Sequence, residues 1–373
     1  MGGKSNQQQS NFEEKDGDKV VIEQLNECLV ELVINRAEKM NALDLHVLEI
    51  LVGAIKTINF QALVISGRGD RAFSAGGDII TIYQNIQKQN MKYLEDYLQA
   101  RYTLEYELEK LSLLEDRNSI IIFNGICVGG GYSLAMYSNY RICTETTLIN
   151  FPESQNGTAI PCIKFLASLE KQYLVRYMIL TGSSLKGQEL VYAGLADYII
   201  PTNKIKMFKN SLKNLTNISK LNEHILKYTI KLKNASQIVL HENLIQKYFQ
   251  AYNLLDILKK LEQGLNDWAE EDRLFCKRCL SKIQRASPLA LRANFEMILK
   301  AADLSEQQAY NLNHRVQYRL FNHKDFQEAV YVKFEQNKRN IPIKWQHKNI
   351  LEVSQLQVDT ILSPLKEPQL LLK

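Results

Sequence analysis

The stretch that most constrains this chain runs over residues 120–153 and reads IIIFNGICVGGGYSLAMYSNYRICTETTLINFPE. It joins an apolar run typical of a buried strand, three consecutive glycines that open a helix-like run, and a lone carboxylate in a Phe-Pro-Glu corner. Glycines after a buried strand let the backbone pass close to another group, because a side chain there would block the approach. We therefore expect a ligand to lie against the glycine triplet.

The composition limits the kind of protein to which such a site belongs. The chain has 373 residues, 45% of them apolar and 23% charged, which is typical of a globular protein of one large or two modest domains. A formal charge of +5 is only mildly basic, so it permits a nucleic-acid neighbour without indicating one. No apolar run reaches the roughly 18 residues of a membrane-spanning helix, so we expect no membrane partner.

The six cysteines are scattered through apolar segments, which indicates reduced thiols in a reducing compartment. Cys276 and Cys279 form a CxxC pair, but no second Cys or His pair at metal-binding spacing accompanies it. We interpret the pair as two thiols on a helix rather than as a zinc or redox site, and we predict no bound metal.

Strand and helix patterns alternate over residues 19–202, which predicts an α/β core. Within this core, one strand ends in the glycine-rich loop 73–78 (FSAGGD), and the next ends in the glycine triplet. Residues 1–18 are polar and Gln/Asn-rich, which predicts a disordered or partner-docked tail. After Pro201 the strand signals fade, so we predict a helical C-terminal region over 203–345, with helix caps at Ser287 and Ser305 and an extension over 346–373.

The two glycine-rich loops do not match nucleotide-binding motifs, because neither reads GxxxxGK[ST] and neither gives a full GxGxxG. Each loop leads from a strand into a helix, so we expect the backbone N–H groups of Gly77 and Gly130 to converge on one carbonyl oxygen. Such a pair would stabilise an oxyanion by about 3 kcal/mol or more per donor. The alternative is that both glycines simply permit tight turns.

Four motifs taken together carry a family resemblance: NRAEKMNAL, AFSAGGDI, IIFNGICVGGGYSLAM and FPE, in this order and spacing. The chain resembles the enoyl-CoA hydratase/isomerase (crotonase) superfamily, which implies a ClpP/crotonase-like spiral of ββα units. Within it, residues 180–201, 287–307 and 323–345 are most similar to the 3-hydroxyisobutyryl-CoA hydrolases, whose helical C-terminal region plain hydratases lack. The resemblance covers residues from about 20 to about 345.

The resemblance implies a set of site residues. Gly77 and Gly130 would form the oxyanion hole for a thioester carbonyl, and Glu153 would act as nucleophile or as general base for water. The acyl-CoA substrate would lie between the two loops, against Ala75, Gly76, Asp78, Gly129 and Gly131. Coenzyme A would be part of the substrate, with no further cofactor. Without the resemblance, Glu153 has the simpler interpretation of a turn carboxylate.

Ser133 indicates which branch of the superfamily the chain resembles. Hydratases carry their second carboxylate at this position, so the resemblance implies hydrolysis rather than hydration.

The chain departs from the hydrolase pattern in two places. Hydrolases carry a partner Asp shortly after the catalytic Glu, whereas residues 154–169 here contain no Asp or Glu. Loss of one member of an acid/base pair commonly lowers the rate about 100-fold to 10,000-fold. Hydrolases also place a substrate-contacting Glu in the helix that here reads QARYTLEY, where the matching residue is Ala100 or Arg101.

Cys162 follows Glu153 closely, but it is a poor candidate for a replacement nucleophile. No His lies between His46 and His224 to activate its thiol.

Two functions follow from the resemblance. The first is a thioesterase acting on 3-hydroxyisobutyryl-CoA in valine breakdown, with altered or reduced activity. The second is a non-catalytic structural component of the mitochondrial small ribosomal subunit, with ribosomal RNA and ribosomal proteins as partners. The Lys-rich segment 203–233 suits the second function, although lysine runs are usually solvated helix faces.

Both functions place the protein in the mitochondrial matrix. The first 35 residues contain no arginine and therefore do not resemble a presequence. A cytoplasmic location is the alternative.

Overall fold

Two β-sheets form the centre of the fold, which a computed structural model describes for residues 17–231, 240–335 and 341–372. The strands are, in chain order, β1 (Val20–Gln24), β2 (Leu29–Ile34), β3 (Ala62–Gly67), β4 (Ala72–Ser74), β5 (Asn118–Ile122), β6 (Ile126–Val128), β7 (Tyr140–Cys143), β8 (Leu148–Asn150), β9 (Leu185–Lys186) and β10 (Tyr198–Ile199). The predicted tail over 1–18 lies almost entirely outside the described residues.

The larger sheet has the strand order β1-β2-β3-β5-β7-β10 and the smaller sheet the order β4-β6-β8-β9. β1 and β2 form an antiparallel hairpin, with Val20 opposite Ile34. The pairs that follow in the larger sheet are parallel. In the smaller sheet, β4, β6 and β8 are parallel and β9 is antiparallel to β8. The predicted α/β class with parallel strands is therefore confirmed.

Helices surround the sheets and make up most of the second half of the chain. The α-helices are α1 (Leu45–Thr57), α2 (Ile79–Gln87), α3 (Met91–Ser112), α4 (Glu153–Asn156), α5 (Ile163–Ser168), α6 (Gln172–Thr181), α7 (Gln188–Tyr192), α8 (Thr202–Leu212), α9 (Leu221–Leu226), α10 (Glu242–Phe249), α11 (Leu254–Gly264), α12 (Glu270–Ile283), α13 (Pro288–Ala301), α14 (Glu306–Asn322), α15 (Lys324–Val330) and α16 (Gln355–Leu362). No helix in the described ranges is long and apolar enough to cross a membrane.

Helix starts follow the capping residues in the sequence. Ser287 caps α13 by accepting from the Ala290 N–H, and Ser305 begins α14 with a complete capping box. The glycine triplet differs from expectation, because residues Gly129–Leu134 form 3-10 turns instead of an α-helix. Three consecutive glycines disfavour the α-helix, since each loses more backbone entropy than any other residue.

The helical second half packs on the α/β part through one continuous apolar core. Buried side chains of α13 and α14, such as Phe295 and Val316, belong to the same cluster as Ile65 and Ile121 of the larger sheet. The last helix, α16, packs on α13 and α14 through buried Val358. Helices from the far end of the chain are therefore part of the same packed unit as the strands.

Candidate active site

Three neighbouring strands of the smaller sheet end at one edge. β4 leads into the loop that contains Gly77, β6 leads into the glycine triplet, and β8 leads into the corner that ends in Glu153. Because β4, β6 and β8 are parallel and adjacent, their carboxyl ends bring these three segments together. The order of the strands thus places the two glycine loops and the Glu153 corner next to one another, although they are separate in the sequence.

The two glycine loops are in contact. A Cβ atom placed on Gly130 would lie 3.5 Å from the Gly77 nitrogen, and one placed on Gly76 would lie 3.4 Å from the Gly130 nitrogen. Within the described ranges, the N–H groups of Gly77 and Gly130 donate to no acceptor. Two neighbouring loops therefore each present a backbone donor without an acceptor among the described residues, as the predicted oxyanion hole requires.

Glu153 begins α4 beside these donors. It is 8% exposed, and a Cβ atom on Gly129 would lie 1.8 Å from its Oε1. The carboxylate therefore rests against the backbone of the residue that precedes Gly130. Its Oε2 has no hydrogen-bond partner in the described part of the chain.

Burial makes Glu153 an unusually weak acid. Desolvation raises the pKa of its carboxyl to about 8, although its own backbone N–H and the positive charge of Arg101 act in the opposite direction. A carboxyl group with a pKa near neutral pH can accept a proton from water at an appreciable rate, because both protonation states are populated.

Ion pairs hold the first glycine loop. The Arg36 guanidinium, which is buried, lies 3.0 Å from Asp78 Oδ2 and 3.4 Å from Asp44 Oδ2. Asp78 also caps α2 by accepting from the Thr81 N–H. The Asp78 carboxylate is therefore occupied with holding the loop in shape.

Backbone contacts position the other residues implied to bind substrate. The Ala75 N–H donates to the Met40 carbonyl at 2.9 Å, so it is not free for a ligand. Gly131 packs on β4, where a Cβ atom would be 2.7 Å from the Ser74 carbonyl oxygen. Gly76 and Gly129 lie beside the two free donors and have positive φ angles of 86° and 44°, which glycine adopts without steric cost.

Ser133 and Cys162 lie close to Glu153 in the sequence, and both side chains are buried. Ser133 is buried and its hydroxyl donates to the Gly130 carbonyl at 2.8 Å. Cys162 is also buried, in the left-handed region with φ of +57°. Burial raises the pKa of the Cys162 thiol well above its ordinary value, so the thiolate form of this residue is disfavoured.

The segment that follows Glu153 is held by helices from the second half of the chain. Asn294 of α13 donates to Ser154 Oγ and to the Thr158 carbonyl, and accepts from the Ile160 N–H at 2.9 Å. Asn313 of α14 donates to the Ile160 carbonyl at 2.7 Å. Both asparagines are buried, so they satisfy backbone groups that would otherwise lack partners.

A half-buried lysine, Lys333, holds the other end of the same segment. Lys333 Nζ donates to Asn156 Oδ1 at 2.7 Å and to the Gln155 carbonyl. Burial lowers the pKa of this ammonium group to about 8. Lys333 therefore caps the carboxyl end of the short helix that Glu153 begins.

Helix α3 contributes polar groups of which the sequence comparison indicated only Arg101. Tyr97, Arg101 and Glu105 are spaced by four residues and are buried on one face of α3. A Cβ atom on Gly77 would be 2.3 Å from the Tyr97 hydroxyl oxygen. In the sequence these residues form a repeat of polar side chains every four positions along an otherwise apolar helix face. The repeat marks the residues but does not show which loop they face. Of the two residues that match the hydrolase Glu, Arg101 is the buried one and Ala100 is half-buried.

Comparison with known proteins identifies the family. The family model described as enoyl-CoA hydratase/isomerase matches residues 29–362. The chain belongs to this family.

Among curated members, the chain is 27% identical over 363 residues to a mitochondrial 3-hydroxyisobutyryl-CoA hydrolase of Dictyostelium discoideum, covering 93% of this chain and 92% of that protein. It is 25% identical over 341 residues to the human protein of the same name, covering 88% and 84% of the two chains. Another relative is the small ribosomal subunit protein mS47 of Schizosaccharomyces pombe, 25% identical over 323 residues, with 84% of this chain and 73% of that protein covered.

Solved structures confirm the fold. A carnitinyl-CoA dehydratase from Mycobacterium thermoresistibile superposes with a TM-score of 0.80 at 21% identity, covering 95% of this chain and 98% of that one. An enoyl-CoA hydratase from Rhodobacter sphaeroides gives a TM-score of 0.76 at 22% identity, covering 93% and 98%. The crotonase fold with a helical C-terminal region, expected from the sequence, is confirmed.

Proposed function

We propose that this member of the enoyl-CoA hydratase/isomerase family hydrolyses a short acyl-CoA thioester of the 3-hydroxyisobutyryl-CoA type. The observation that carries the proposal is the position of Glu153, whose carboxylate rests on Gly129 beside the free N–H groups of Gly77 and Gly130. A donor pair and a proton acceptor at one buried place are the requirements of acyl transfer to water. The names of curated relatives at 25–27% identity point to the same substrate.

In the proposed reaction, Gly77 and Gly130 donate to the thioester oxygen and stabilise the negative charge that develops on it. Glu153 acts in one of two ways. As a general base it takes a proton from the attacking water, and as a nucleophile it forms an acyl anhydride that water then opens. In both cases the products are the free acid and coenzyme A. Hydrolysis in a single turnover with heavy-oxygen water separates these routes, because only the nucleophilic route places the label in Glu153.

The segment 154–169, where the hydrolases carry the partner Asp, contains no Asp or Glu in this chain. The structure places Glu105 of α3 in the same buried region, but its Oε1 is paired with Arg101 Nε at 3.1 Å. We therefore expect Glu153 to work without a second free carboxylate and the turnover number to be low.

The test is an assay of the purified chain with 3-hydroxyisobutyryl-CoA, following release of the coenzyme A thiol. The Glu153→Gln variant is expected to lose at least about 100-fold in kcat, in the range typical of a removed general base. Activity that is unchanged in this variant would exclude Glu153 from the mechanism. Absence of activity in the wild-type chain would exclude hydrolysis of this substrate.

One observation favours a second function, a structural role in the mitochondrial small ribosomal subunit. A relative that shares 84% of this chain's length is named as a protein of the small ribosomal subunit. In this chain, exposed lysines on and after α8 give a basic surface that suits RNA phosphates, namely Lys204, Lys206, Lys213 and Lys220. Co-sedimentation with mitochondrial small subunits in a sucrose gradient is the test, and recovery only in the soluble fractions would exclude this role.

We propose a mitochondrial location under either function, because the curated hydrolase relatives are named as mitochondrial. Fractionation of cells that express the tagged full chain tests this, and recovery in the cytosol alone would exclude it.

A further inference from the structure

A guanidinium group inside the candidate active site has a donor without a partner. Arg101 is 7% exposed, and its Nη2 has no hydrogen-bond partner among the described residues. Its Nε is bonded to Glu105 Oε1 at 3.1 Å, and its Cζ lies 5.1 Å from the ring centre of Tyr102. A guanidinium carries five N–H donors, so these contacts leave it only partly satisfied. Buried donors without partners cost free energy unless a ligand completes them.

The position of Arg101 relates it to the predicted oxyanion donors. Tyr97 lies one turn earlier on the same face of α3, and its hydroxyl contacts the α-carbon of Gly77, where a Cβ atom would be 2.3 Å away. Arg101 therefore follows, about 5–6 Å further along the same face of α3, the residue whose hydroxyl contacts Gly77.

Arg101 is also near Glu153 without contacting it. The positive charge of Arg101 lowers the pKa of both Glu153 and Cys162, although burial keeps both values raised overall. No Arg101 nitrogen approaches a Glu153 oxygen within the 4.0 Å of an ion pair in the described part of the chain. A guanidinium and a carboxyl group thus lie in one buried region with an unpartnered atom on each, Nη2 of Arg101 and Oε2 of Glu153.

The unpartnered Nη2 of Arg101 belongs to a guanidinium group, which indicates an anionic ligand such as a carboxylate. A guanidinium fork matches the geometry of a carboxylate, and charge-assisted bonds of this kind are about twice as strong as neutral ones. A purely hydrocarbon acyl chain would leave Nη2 buried and unpaired, which a site built for hydrogen bonding rejects strongly.

We propose that Arg101 gives the site a second class of ligand besides 3-hydroxyisobutyryl-CoA, namely acyl-CoA thioesters whose acyl chain ends in a free carboxylate, that is, monothioesters of short dicarboxylic acids. The inference rests on the proposed function in taking Gly77 and Gly130 as the position of the thioester oxygen. The acyl chain runs from this pair past Tyr97 to Arg101. A succinyl group, in which two carbon atoms separate the thioester from the carboxylate, is the probe chosen for this class.

The test is calorimetric titration of the full chain with two non-hydrolysable analogues, in which a methylene group separates sulfur from the carbonyl. One analogue carries a succinyl group and the other a butyryl group, which is similar in length but lacks the carboxylate. We expect the wild-type chain to bind the succinyl analogue at least about tenfold more tightly, as one charge-assisted contact would give. Equal binding, or tighter binding of the butyryl analogue, would overturn the inference.

Two variants assign the preference to Arg101. Arg101→Met is expected to remove it while binding of the butyryl analogue stays within about twofold. Arg101→Met leaves Glu105 buried without its cation. The double variant Arg101→Met/Glu105→Gln removes both charges of the pair and therefore leaves neither of them buried and unpaired. Arg176→Met is the matched control, since Arg176 is a buried arginine of α6 whose ring partner is Tyr252. A preference that survives in both Arg101 variants would overturn the inference.

The binding experiment tests the role of Arg101 and the hydrolysis assay tests the proposed function, so each proposal can fail without the other. Selective binding of the succinyl analogue without hydrolysis of any thioester would support the role of Arg101 and contradict the proposed hydrolase. Hydrolysis of 3-hydroxyisobutyryl-CoA together with equal binding of both analogues would support the hydrolase and overturn the role of Arg101. Failure of both analogues to bind would overturn the role of Arg101 and would leave the hydrolase to be judged by the turnover of 3-hydroxyisobutyryl-CoA.

Discussion

The carboxylate of Glu153 lies directly against the α-carbon of Gly129. A Cβ atom on Gly129 would be 1.8 Å from Oε1 of Glu153 and 2.9 Å from its Cδ. The φ angle of Gly129 is +44°, in the region that residues with a side chain rarely adopt. Because Gly129 has no side chain, the carboxylate can lie against the backbone of the residue that precedes Gly130.

Substitution of this glycine should displace the carboxylate. We expect Gly129→Ala to lower thioester hydrolysis by at least about 100-fold, because the methyl group occupies the position of Oε1 and removes the proton acceptor from the site. Coenzyme A thiol release measures the rate, and thermal unfolding reports whether the variant folds. Gly53→Ala is the control, since nothing lies within 4 Å of a Cβ atom there and Ala is favoured in a helix by about 1 kcal/mol. Full activity in Gly129→Ala would contradict the proposed position of the carboxylate.

The pH dependence of hydrolysis should report the pKa of Glu153. Burial raises this pKa to about 8 in the free protein. If Glu153 acts as a base, only its deprotonated form works, so kcat/KM should rise with pH and level off above about 8. A rate profile measured from about pH 5 to about pH 9.5 checks this. A plateau that is already reached at about pH 6 would show that a different group limits the rate.

Stability should respond to pH in the opposite direction. The folded protein retains the Glu153 proton up to about pH 8, whereas an ordinary glutamate releases it near 4.5. Between these values the folded state binds more protons than the unfolded chain, so the contribution of Glu153 to stability falls as pH rises.

Glu153→Gln lacks this titration. We expect its free energy of unfolding to rise relative to wild type by about 2–4 kcal/mol from about pH 5 to about pH 9. Urea denaturation of both proteins across this range is the measurement, and a constant difference between them would contradict the raised pKa.

The ion pair between Arg36 and Asp78 should matter for stability. Both side chains are buried, at 5% and 6% exposure, and Asp78→Ala removes one carboxylate from Arg36 together with the cap of α2. We expect a loss of about 2–4 kcal/mol, moderated by the Asp44 carboxylate that remains near Arg36. Asp96→Ala removes the exposed Lys92–Asp96 pair and should change stability by less than about 0.5 kcal/mol. Chemical denaturation compares the two variants, and equal effects would refute the distinction.

The asparagines that hold the segment after Glu153 should affect both stability and activity. Asn294→Ala leaves the Ile160 N–H and the Thr158 carbonyl without their partner, which is expected to cost about 2–3 kcal/mol. Asn313→Ala should behave similarly through the Ile160 carbonyl. Asn311→Ala, an exposed position on the same helix as Asn313, is the control. Denaturation midpoints and rates of thiol release together test this, and two buried variants that match the control would refute the role of the asparagines.

The parts of the site that lie next to strands were predictable from sequence. Glycine loops after β4 and β6 and the acid after β8 are local patterns, and parallel strand order alone brings them to one edge. The sequence did not predict the 3-10 geometry of the triplet. Glycine adopts many backbone conformations, so three glycines do not determine which type of helix forms.

The contributions of distant elements were not predictable from sequence. Tyr97 and Glu105 approach the site only because α3 packs across it, and no local motif specifies which face of a helix turns inward toward which loop. The contacts of Asn294 and Asn313 with residues 154–160 depend on the docking of α13 and α14 on the α/β core. Such pairings arise from tertiary packing and have no signature in a single sequence.

The asparagine contacts bear on how genetic variation in this chain should be interpreted. Ile160 and Asn294 are 134 residues apart along the chain, yet they share a hydrogen bond in the segment that follows Glu153. In a screen of random variants for loss of activity, substitutions in α13 and α14 would group with those at Glu153. A map of functional positions drawn along the sequence would then show two separate clusters that belong to a single site.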